Sequence, residues 1–128
     1  MSKFSTHRNL KIDATFTIGT EAADVINVGI QLTDRDNGNE ISERVAVMYY
    51  LADDVAGDTP SGTAPDGGIA IGTDGALTEW TANVSGLAIS ESDGDLDIDV
   101  TESATPTFYL ILVMPDGKLQ ASAAITFA

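Results

Sequence analysis

Apolar and polar residues alternate along most of this chain with a period of two, which is the period of a half-buried β-strand rather than of a helix. The first two such segments are residues 11–18 and residues 26–32. Each has an apolar residue at every second position, and the residues between them are polar apart from Gly29. They predict two strands that each present one face to a core. The expected inward side chains are Ile12, Ala14, Phe16, Ile18, Ile26, Val28, Ile30 and Leu32.

Later segments extend the same pattern. Residues 44–51 are rich in Val and Tyr and predict a central strand. Residues 95–100 alternate Asp with Leu, Ile and Val, which predicts a strand with a column of carboxylates on its outer side. Residues 108–114 are apolar at nearly every position, as expected for a strand covered on both faces in the middle of a sheet. Shorter strands are predicted at residues 69–71, 77–82 and 87–90.

Turn-forming residues separate these segments. Residues 34–39 (DRDNGN) predict a hairpin, because Asn and Gly take positive φ at low cost. Residues 52–75 are rich in Gly, Pro, Asp, Ser and Thr, which predicts a long ordered loop or two short edge strands. Residues 115–118 (PDGK) predict a turn into a C-terminal hairpin. The expected inward residues of the last strand are Leu119, Ala121, Ala123, Ile125 and Phe127.

About seven short strands without any helical period predict an all-β fold, a single antiparallel immunoglobulin-like β-sandwich at residues 11–128. A chain of 128 residues can bury one hydrophobic core without disulfides. Residues 1–10 have no apolar period of their own and are expected to form an N-terminal basic arm. The predicted core includes Val28, Ile30, Val47, Leu110, Leu112 and Ile125.

The charge of the chain is divided unevenly. It has 20 acidic and 6 basic residues, and every acidic residue lies at or after Asp13, whereas Lys3, Arg8 and Lys11 precede it. An acidic body repels nucleic-acid phosphate and anionic lipid, so we expect no nucleic-acid and no membrane partner. The N-terminus lacks the apolar core of a secretory signal, and no apolar run is long enough to span a bilayer, which indicates a soluble protein made in the cytoplasm.

Residues that usually perform catalysis are scarce. The chain has no Cys and a single His, His7, in the polar arm, so a Ser–His–Asp triad lacks its central member. The Gly-rich residues 64–75 have no Lys and no following helix with which to hold a phosphate. We therefore expect no enzymatic activity, no catalytic residues and no cofactor.

The strongest candidate for a metal site is the acidic segment at residues 91–99 (ESDGDLDID), because Ca²⁺ binds clusters of oxygen ligands. The segment departs from the EF-hand pattern, since Ile98 stands where that loop needs Gly and Ala104 where it needs a bidentate Glu. We expect a solvated acidic surface and no metal, with a structural Ca²⁺ as the alternative.

Two sets of residues are candidates for binding a partner. Aromatic side chains on strands are usually core residues or cross-strand pairs, but two or three exposed on one face would form a carbohydrate platform. The aromatic candidates are Trp80, Tyr49, Tyr50 and Tyr109. The basic arm would be attracted to an acidic neighbour such as another copy of the body, whereas the alternative is a disordered tail. The candidates in the arm are Lys3, Phe4, His7 and Arg8.

Five segments carry a resemblance to a known family, and the resemblance extends over most of residues 24–127. They read ISERVAVMYYLAD (41–53), GTAPDGG (62–68), IGTDG (71–75), FYLILVMPDGK (108–118) and ITF (125–127). The chain resembles a family of small proteins encoded among tailed-phage head genes. The motifs are structural rather than catalytic, so the resemblance transfers no site residues.

The resemblance implies a virion structural protein with an immunoglobulin-like body. Within that class it implies a capsid decoration (cement) protein that binds the outer surface of a tailed-phage head and stabilises it. The implied partners are the major capsid protein and further copies of the chain in a homo-oligomer, with a trimer as one arrangement. The alternative is a glycan-binding or tail- or fibre-associated adhesion module with the same fold.

Overall fold

A computed structural model describes residues 11–128, which form two antiparallel β-sheets and no helix. The four-stranded sheet has the order β1-β2-β7-β4, and the six-stranded sheet has the order β10-β8-β3-β6-β5, with β9 also paired to β8. The strands are β1 (Ile12–Ile18), β2 (Val25–Asp34), β3 (Ala46–Ala52), β4 (Gly68–Ile71), β5 (Ala76–Thr81), β6 (Ser85–Ile89), β7 (Asp95–Thr101), β8 (Thr107–Val113), β9 (Leu119–Ala121) and β10 (Ile125–Thr126).

The predicted β-sandwich is confirmed, and parts of its strand order match that of an immunoglobulin domain, whereas β6 and β5 extend the second sheet beyond β3. The neighbours β1-β2-β7 correspond to strands A-B-E of that fold, and β10-β8-β3 correspond to G-F-C. The structure has ten strands where about seven were predicted. The short strands β4, β5 and β6 lie where residues 69–71, 77–82 and 87–90 were predicted to form strands, and the C-terminal strand is divided in two.

The core lies between the sheets and is built from the inward positions of both. All of the predicted core residues named above are buried, from Val28 to Ile125. Phe108 and Phe127 meet edge to face, with ring centroids 6.3 Å apart and planes at 79°. Phe16 and Ile18 pack against this core but remain partly exposed, because β1 ends at the rim of the sandwich.

Strands β3 and β8 lie in the interior of the six-stranded sheet, as predicted, and one outward residue of β8 is also covered. Ile111 is buried on the outer side because the loop of residues 53–60 folds over it. The Tyr50 hydroxyl donates a 2.8 Å hydrogen bond to the Gly57 carbonyl and holds this loop against the sheet. A Cβ added to Gly57 would lie 3.4 Å from Ile111 Cγ1, and Gly57 has φ of 77°, so both packing and backbone favour glycine there.

The predicted hairpin at residues 34–39 exists only as a turn. Gly38 takes φ of 75°, and one bridge pairs Thr33 with Glu40, but no third strand of this sheet follows. The reason is that β1 and β7 already occupy both edges of β2. The chain therefore crosses to the other sheet, where β3 pairs with β6 and β8.

The inward positions predicted for the last strand are wrong for Leu119, Ala121 and Ala123. Leu119 and Ala123 are exposed, and Ala121 is half-buried on the outer side, where it pairs with Ile111. Ser122 is buried instead, and its hydroxyl accepts a hydrogen bond from Leu110 N at 3.0 Å and donates one to Ala123 O at 2.7 Å. These side-chain bonds interrupt the ladder between β9 and β10. The alternation shifts at this point, which leaves Ile125 and Phe127 inward as predicted.

Two hydrogen bonds show where Gln120 and Ala128 lie relative to β1. Ala14 N donates a 2.6 Å hydrogen bond to Gln120 Oε1, so the Gln120 side chain lies against the outer edge of β1. Ala128 N donates to Glu21 Oε1 at 2.8 Å, just beyond the other end of β1 from Ile12. No helix long and apolar enough to cross a membrane occurs within residues 11–128.

Candidate interaction surface

The outer side of the four-stranded sheet is acidic and polar. The predicted column of carboxylates on β7 is confirmed, because Leu96, Ile98 and Val100 are fully buried and the Asp residues between them point outward. The outward residues of this sheet, here called the acidic face, are Asp13, Thr15, Thr17, Val25, Asn27, Gly29, Gln31, Thr33, Ala70, Asp95, Asp97, Asp99 and Thr101.

Asp97 is the most extensively hydrogen-bonded carboxylate of the acidic face. It accepts hydrogen bonds from Asp74 N at 2.7 Å, Thr73 N at 2.9 Å and Asn27 Nδ2 at 2.6 Å. Burial by itself would raise the pKa of Asp97, but these donors together hold it below its ordinary value. The side chain therefore serves to fasten the turn after β4 to β7.

Asp95, one step along the same column, has the opposite electrostatic environment. Burial raises the pKa of Asp95, and the negative charges of Asp74, Asp93 and Asp97 raise it further. Two carboxylates on one strand are thus shifted in opposite directions, because Asp97 has protein donors and Asp95 has acidic neighbours.

The residues of the candidate calcium segment do not converge. Within residues 11–128, no group of three or more His, Cys, Asp or Glu side chains is arranged to hold a metal ion. Asp97 and Asp99 share Asn27 Nδ2 as a donor, at 2.6 and 2.8 Å, so oxygens of both accept hydrogen bonds from the protein. The acidic face is a hydrogen-bonded surface of the sheet.

The Gly-rich residues 64–75 use their N–H groups within the fold. Gly67 N donates to Thr101 O, Gly72 N to Asp97 O and Gly75 N to Glu91 Oε2. A phosphate-binding loop aims several such N–H groups at its ligand. In this segment the same groups hold β4 and the following turn against β7, as expected for a structural turn.

The outer side of the six-stranded sheet has a different chemistry, which sequence reasoning missed. Its outward residues, here called the uncharged face, include no Asp, Glu, Lys or Arg. They are Ala46, Met48, Tyr50, Ala76, Thr78, Ser85, Leu87, Ile89, Thr107, Tyr109, Ile111, Val113, Leu119, Ala121 and Thr126. The sequence alone could have revealed this face. In β3, β6 and β8 every second residue is an outward residue without charge.

A row of side chains crosses the uncharged face through its middle. Met48 of β3 pairs with Val113 of β8 on one side and with Leu87 of β6 on the other. Val113 pairs in turn with Leu119, and Leu87 with Thr78, so the row spans five neighbouring strands. Met48 is 42% exposed and Leu119 46% exposed, so this apolar row is open to solvent.

An uncharged face is unexpected on this chain. Of its 128 residues, 26 are charged, which gives a formal net charge of −14. Single exposed apolar side chains are ordinary in soluble proteins, but a contiguous apolar patch rimmed by polar residues marks an interaction surface. The uncharged face is therefore the candidate functional surface of this protein.

Charged groups lie at both ends of the uncharged face. At one end, Asp54 and Asp58 lie in the loop of residues 53–60. Burial raises the pKa of Tyr50, and the charges of these two carboxylates add to that effect, so both lie near its hydroxyl. At the other end, just before β3, Arg44 donates to Ser90 O at 3.2 Å and lies 3.9 Å from Glu91 Oε1.

The aromatic candidates do not form an exposed platform. Tyr49 is 1% exposed and belongs to the core, and Tyr50 is half-buried with its hydroxyl bonded to Gly57. Tyr109 is half-buried as well. Trp80 alone among the four is largely exposed, at 60%, and it lies in a bulge of the edge strand β5.

One cleft in the described residues has an acidic lining. A cleft of about 670 Å³ lies between the start of β1 and the segment before β3, and Asp34, Asp36, Glu40 and Glu43 line it. Residues 11–128 contain neither His nor Cys, so no Ser–His or Cys–His pair faces this cleft.

The partner-binding candidates Lys3, Phe4, His7 and Arg8 lie outside the described residues. Their role stays a prediction. No protein-family model matches the chain, and a search of curated proteins found no match either. Any functional assignment therefore rests on the surface described above and on the sequence motifs.

Proposed function

We propose that this protein is a structural component of a tailed-phage virion, a decoration protein that binds the outer surface of the head and stabilises it. The division of its surface carries the proposal, since one sheet presents carboxylates to solvent and the other presents an uncharged, apolar face. Such a division suits a protein that buries one side in an assembly. The five motifs quoted above support a tailed-phage head as that assembly.

The physical demands of decoration fit this molecule. A decoration protein must stay soluble before it meets a completed shell, and a net charge of −14 opposes non-specific association. It must also have a surface whose burial on the head stabilises the bound state. The row through Met48 supplies apolar area for that purpose, and the hydrogen-bonded turns around the sandwich keep the surface in one shape.

A glycan-binding adhesion module is the second candidate, and Trp80 favours it. An exposed Trp on an edge strand can stack against a sugar ring. The Tyr50 hydroxyl is already bonded to Gly57, and Tyr109 is half-buried, which leaves one aromatic where a platform needs two or three. Loss of binding on a glycan array in Trp80→Ala, with binding kept in Met48→Glu, would favour adhesion over decoration.

The experiment that tests decoration uses particles produced from the genome that carries this coding sequence. Gradient-purified particles are examined for the protein by mass spectrometry, and its position is located by cryo-electron microscopy. We expect density on the outer surface of the head. Absence of the protein from purified particles, or its location only in the tail, contradicts the proposal.

A loading assay tests the surface itself. Heads that lack the protein are incubated with the wild type, with Met48→Glu, or with Thr17→Glu as a matched control. Thr17 is exposed on the acidic face, so the control adds the same charge on the opposite side. We expect Met48→Glu to lower occupancy and Thr17→Glu to leave it unchanged. Equal occupancy for all three proteins shows that the uncharged face is not buried on the head.

A further inference from the structure

We infer that β1 exchanges between two copies of this chain, so that the β1 of each copy fills the edge of the four-stranded sheet of the other. The exchange uses the contacts that β1 already makes within one chain, so its complementarity is that of the folded domain itself. Exchange of an identical element is a low-cost route to a dimer. The inference does not depend on the proposed function.

The connection between β1 and β2 is strained. Ala22 and Val25 donate backbone hydrogen bonds to each other at 2.9 and 3.0 Å, which closes a turn with Ala23 and Asp24 at its centre. Both central residues have positive φ, 52° for Ala23 and 66° for Asp24. Such a turn favours Asn-Gly, Asp-Gly or Gly-Gly, because a Cβ is strained at positive φ. A short connection under strain favours exchange, since an extended connection releases the strain.

β1 is an edge strand with one connection to the sandwich. Among the described residues it is the first strand, it pairs with β2 alone, and residues 19–24 join it to the rest. β1 can therefore leave and be replaced without any change in the order of the other strands. β4, at the opposite edge of the same sheet, is connected at both of its ends, to β3 and to β5, so it cannot be exchanged in this way.

The packing of β1 differs between its two ends. At its start, Ile12 and Ala14 are buried in the core, and an ion pair of 2.8 Å joins Asp13 to Arg35. Beside the connection, from Phe16 onward, the inward residues of β1 are only partly buried. The end next to the strained turn is thus the weakly held one. The site that β1 leaves has an apolar interior and a matching cation, and the β1 of a second copy supplies both partners.

The connection is long enough to join two separate bodies. Its six residues, 19–24, reach about 20 Å when extended. This length is more than twice the Debye length of about 8 Å at physiological ionic strength. Two acidic bodies can therefore exchange β1 without a new contact between them. The uncharged face lies on the other sheet, so the exchange leaves it available to the head.

The closed connection opposes exchange at low concentration. Besides its own bonds it has two more, from Glu102 N to Asp24 O at 2.9 Å and from Ala128 N to Glu21 Oε1 at 2.8 Å. A short connection also gives β1 a millimolar effective concentration at its own site. We therefore expect monomers at micromolar concentration and exchanged dimers at millimolar concentration. Because the buried start of β1 must leave the core, the exchange takes place on refolding.

Refolding of the full chain from urea tests the exchange. One sample is refolded at micromolar and one at millimolar concentration, and both are separated by size-exclusion chromatography. We expect a dimer of the 13.3 kDa chain in the concentrated sample. Ala23→Gly with Asp24→Gly relaxes the turn and should lower the dimer fraction by at least about tenfold. Asn83→Gly is the matched control, because it relaxes φ of 63° in the turn between β5 and β6, and it should leave the dimer fraction unchanged.

A designed disulfide shows whether the dimer is exchanged. A Cβ added to Gly29 on β2 lies 3.7 Å from Thr17 Cβ on β1, within the range found in disulfides. The chain has no Cys, so Thr17→Cys with Gly29→Cys introduces a single pair of thiols. After oxidation, electrophoresis without reductant should show joined chains from the dimer fraction and single chains from the monomer fraction. Thr17→Cys alone controls for random oxidation and should give single chains.

Each outcome decides the inference. A chain that stays monomeric after refolding at millimolar concentration overturns it. A dimer whose disulfides all lie within single chains overturns it as well, because such a dimer pairs through another surface. If Ala23→Gly with Asp24→Gly leaves the dimer fraction unchanged, strain in the turn does not drive the exchange and the inference fails. Where the cysteine substitutions alter folding, the comparison of the wild type with the glycine variants still decides. Loading onto heads tests the proposed function separately.

Discussion

Asp97 Oδ1 lies 2.7 Å from the backbone nitrogen of Asp74, and this contact fastens the turn after β4 to the outer side of β7. The same carboxylate accepts a bond from Thr73 N, while the Asp97 carbonyl accepts one from Gly72 N at 3.0 Å. Three successive N–H groups of one turn are therefore satisfied by a single residue of the neighbouring strand. The N–H groups of Asp74 and Thr73, together with Asn27 Nδ2, hold the pKa of Asp97 below its ordinary value.

Replacing Asp97 by Asn should lower the free energy of unfolding at pH 7 by about 1 to 3 kcal/mol, because charged acceptors make the stronger hydrogen bonds. The folded-state pKa of Asp97 lies below the unfolded one, so its contribution is present above the unfolded pKa and is lost as pH falls through the folded pKa. Urea unfolding of the wild type and of Asp97→Asn should show that the difference between their free energies of unfolding shrinks as pH falls through this range.

Asp95 provides the matched control on the same strand. Its folded-state pKa lies above the unfolded one, so its charge destabilises the fold above the folded pKa and has no effect below the unfolded pKa. Asp95→Asn should therefore keep or raise stability at pH 7. Equal losses in Asp95→Asn and Asp97→Asn would show that the two carboxylates share one environment after all.

Tyr49 and Tyr50 are neighbours with opposite expected responses to loss of the hydroxyl. The Tyr49 hydroxyl is buried without a hydrogen-bond partner among the described residues, and burial, with a smaller effect of Glu79, raises its pKa to about 12. Tyr49→Phe removes an unsatisfied polar group and should not destabilise the fold. Tyr50→Phe loses the 2.8 Å bond to Gly57 and should cost about 1 kcal/mol. Thermal unfolding of the two variants checks the order, and a larger loss in Tyr49→Phe contradicts it.

Leu110 lies in β8 at the centre of the core and is fully buried. Leu110→Ala should lower the free energy of unfolding by about 2 to 5 kcal/mol, because the packed neighbours cannot fill the cavity. Val55, in an exposed loop, is the control, and Val55→Ala should change stability by less than about 0.5 kcal/mol. If Leu110→Ala kept the denaturation midpoint of the wild type, the assignment of Leu110 to the core would be wrong.

Chelation should leave the thermal midpoint unchanged within about a degree, because a ligand that binds only the folded state would raise that midpoint. Asp97 and Asp99 already accept hydrogen bonds from Asn27, which supports this expectation. Differential scanning calorimetry with EDTA, and then with added Ca²⁺, makes the measurement. A drop of several degrees that Ca²⁺ restores and Asp95→Asn abolishes would establish a site at residues 91–99.

Deleting residues 1–9 removes two of the six basic side chains, Lys3 and Arg8, and no predicted strand. The body should keep its stability, because these residues precede β1. Loading onto heads should weaken if the arm docks on an acidic surface, and the intact protein should bind less well as salt rises. Lys3→Glu with Arg8→Glu should load even less than the deletion. Equal occupancy for all three proteins assigns no binding role to the arm.

Strand positions and most of the core followed from the alternation of residues, because a period of two places side chains on opposite faces whatever the neighbouring strand is. Leu96 is buried, as this alternation predicted. Pairing depends on which edges are already occupied, which local sequence does not encode. The turn at residues 34–39 therefore predicted a hairpin, whereas β2 has β1 and β7 on its two edges.

The uncharged face escaped sequence reasoning for a related reason. Met48, Leu87 and Leu119 are far apart in the chain, and each one is an unremarkable apolar residue in its own strand. Only the register of β3, β6, β8 and β9 aligns them in a row. The partner that covers such a row depends on charge and shape at both ends of the sheet, which requires the folded loop of residues 53–60 as well.

The bond between Ala128 and Glu21 has a mechanical consequence. It places the C-terminal residue beyond one end of β1, whereas Lys11 enters the sandwich at the other end. A pulling force between these two points runs along the strands, at right angles to the hydrogen bonds that join β1 to β2. The seven residue pairs of that ladder, from Ile12 with Asp34 to Ile18 with Val28, then bear the load in shear and must yield together. Peeling them apart one at a time would need less force, so the ladder between β1 and β2 is oriented to resist tension between Lys11 and Ala128.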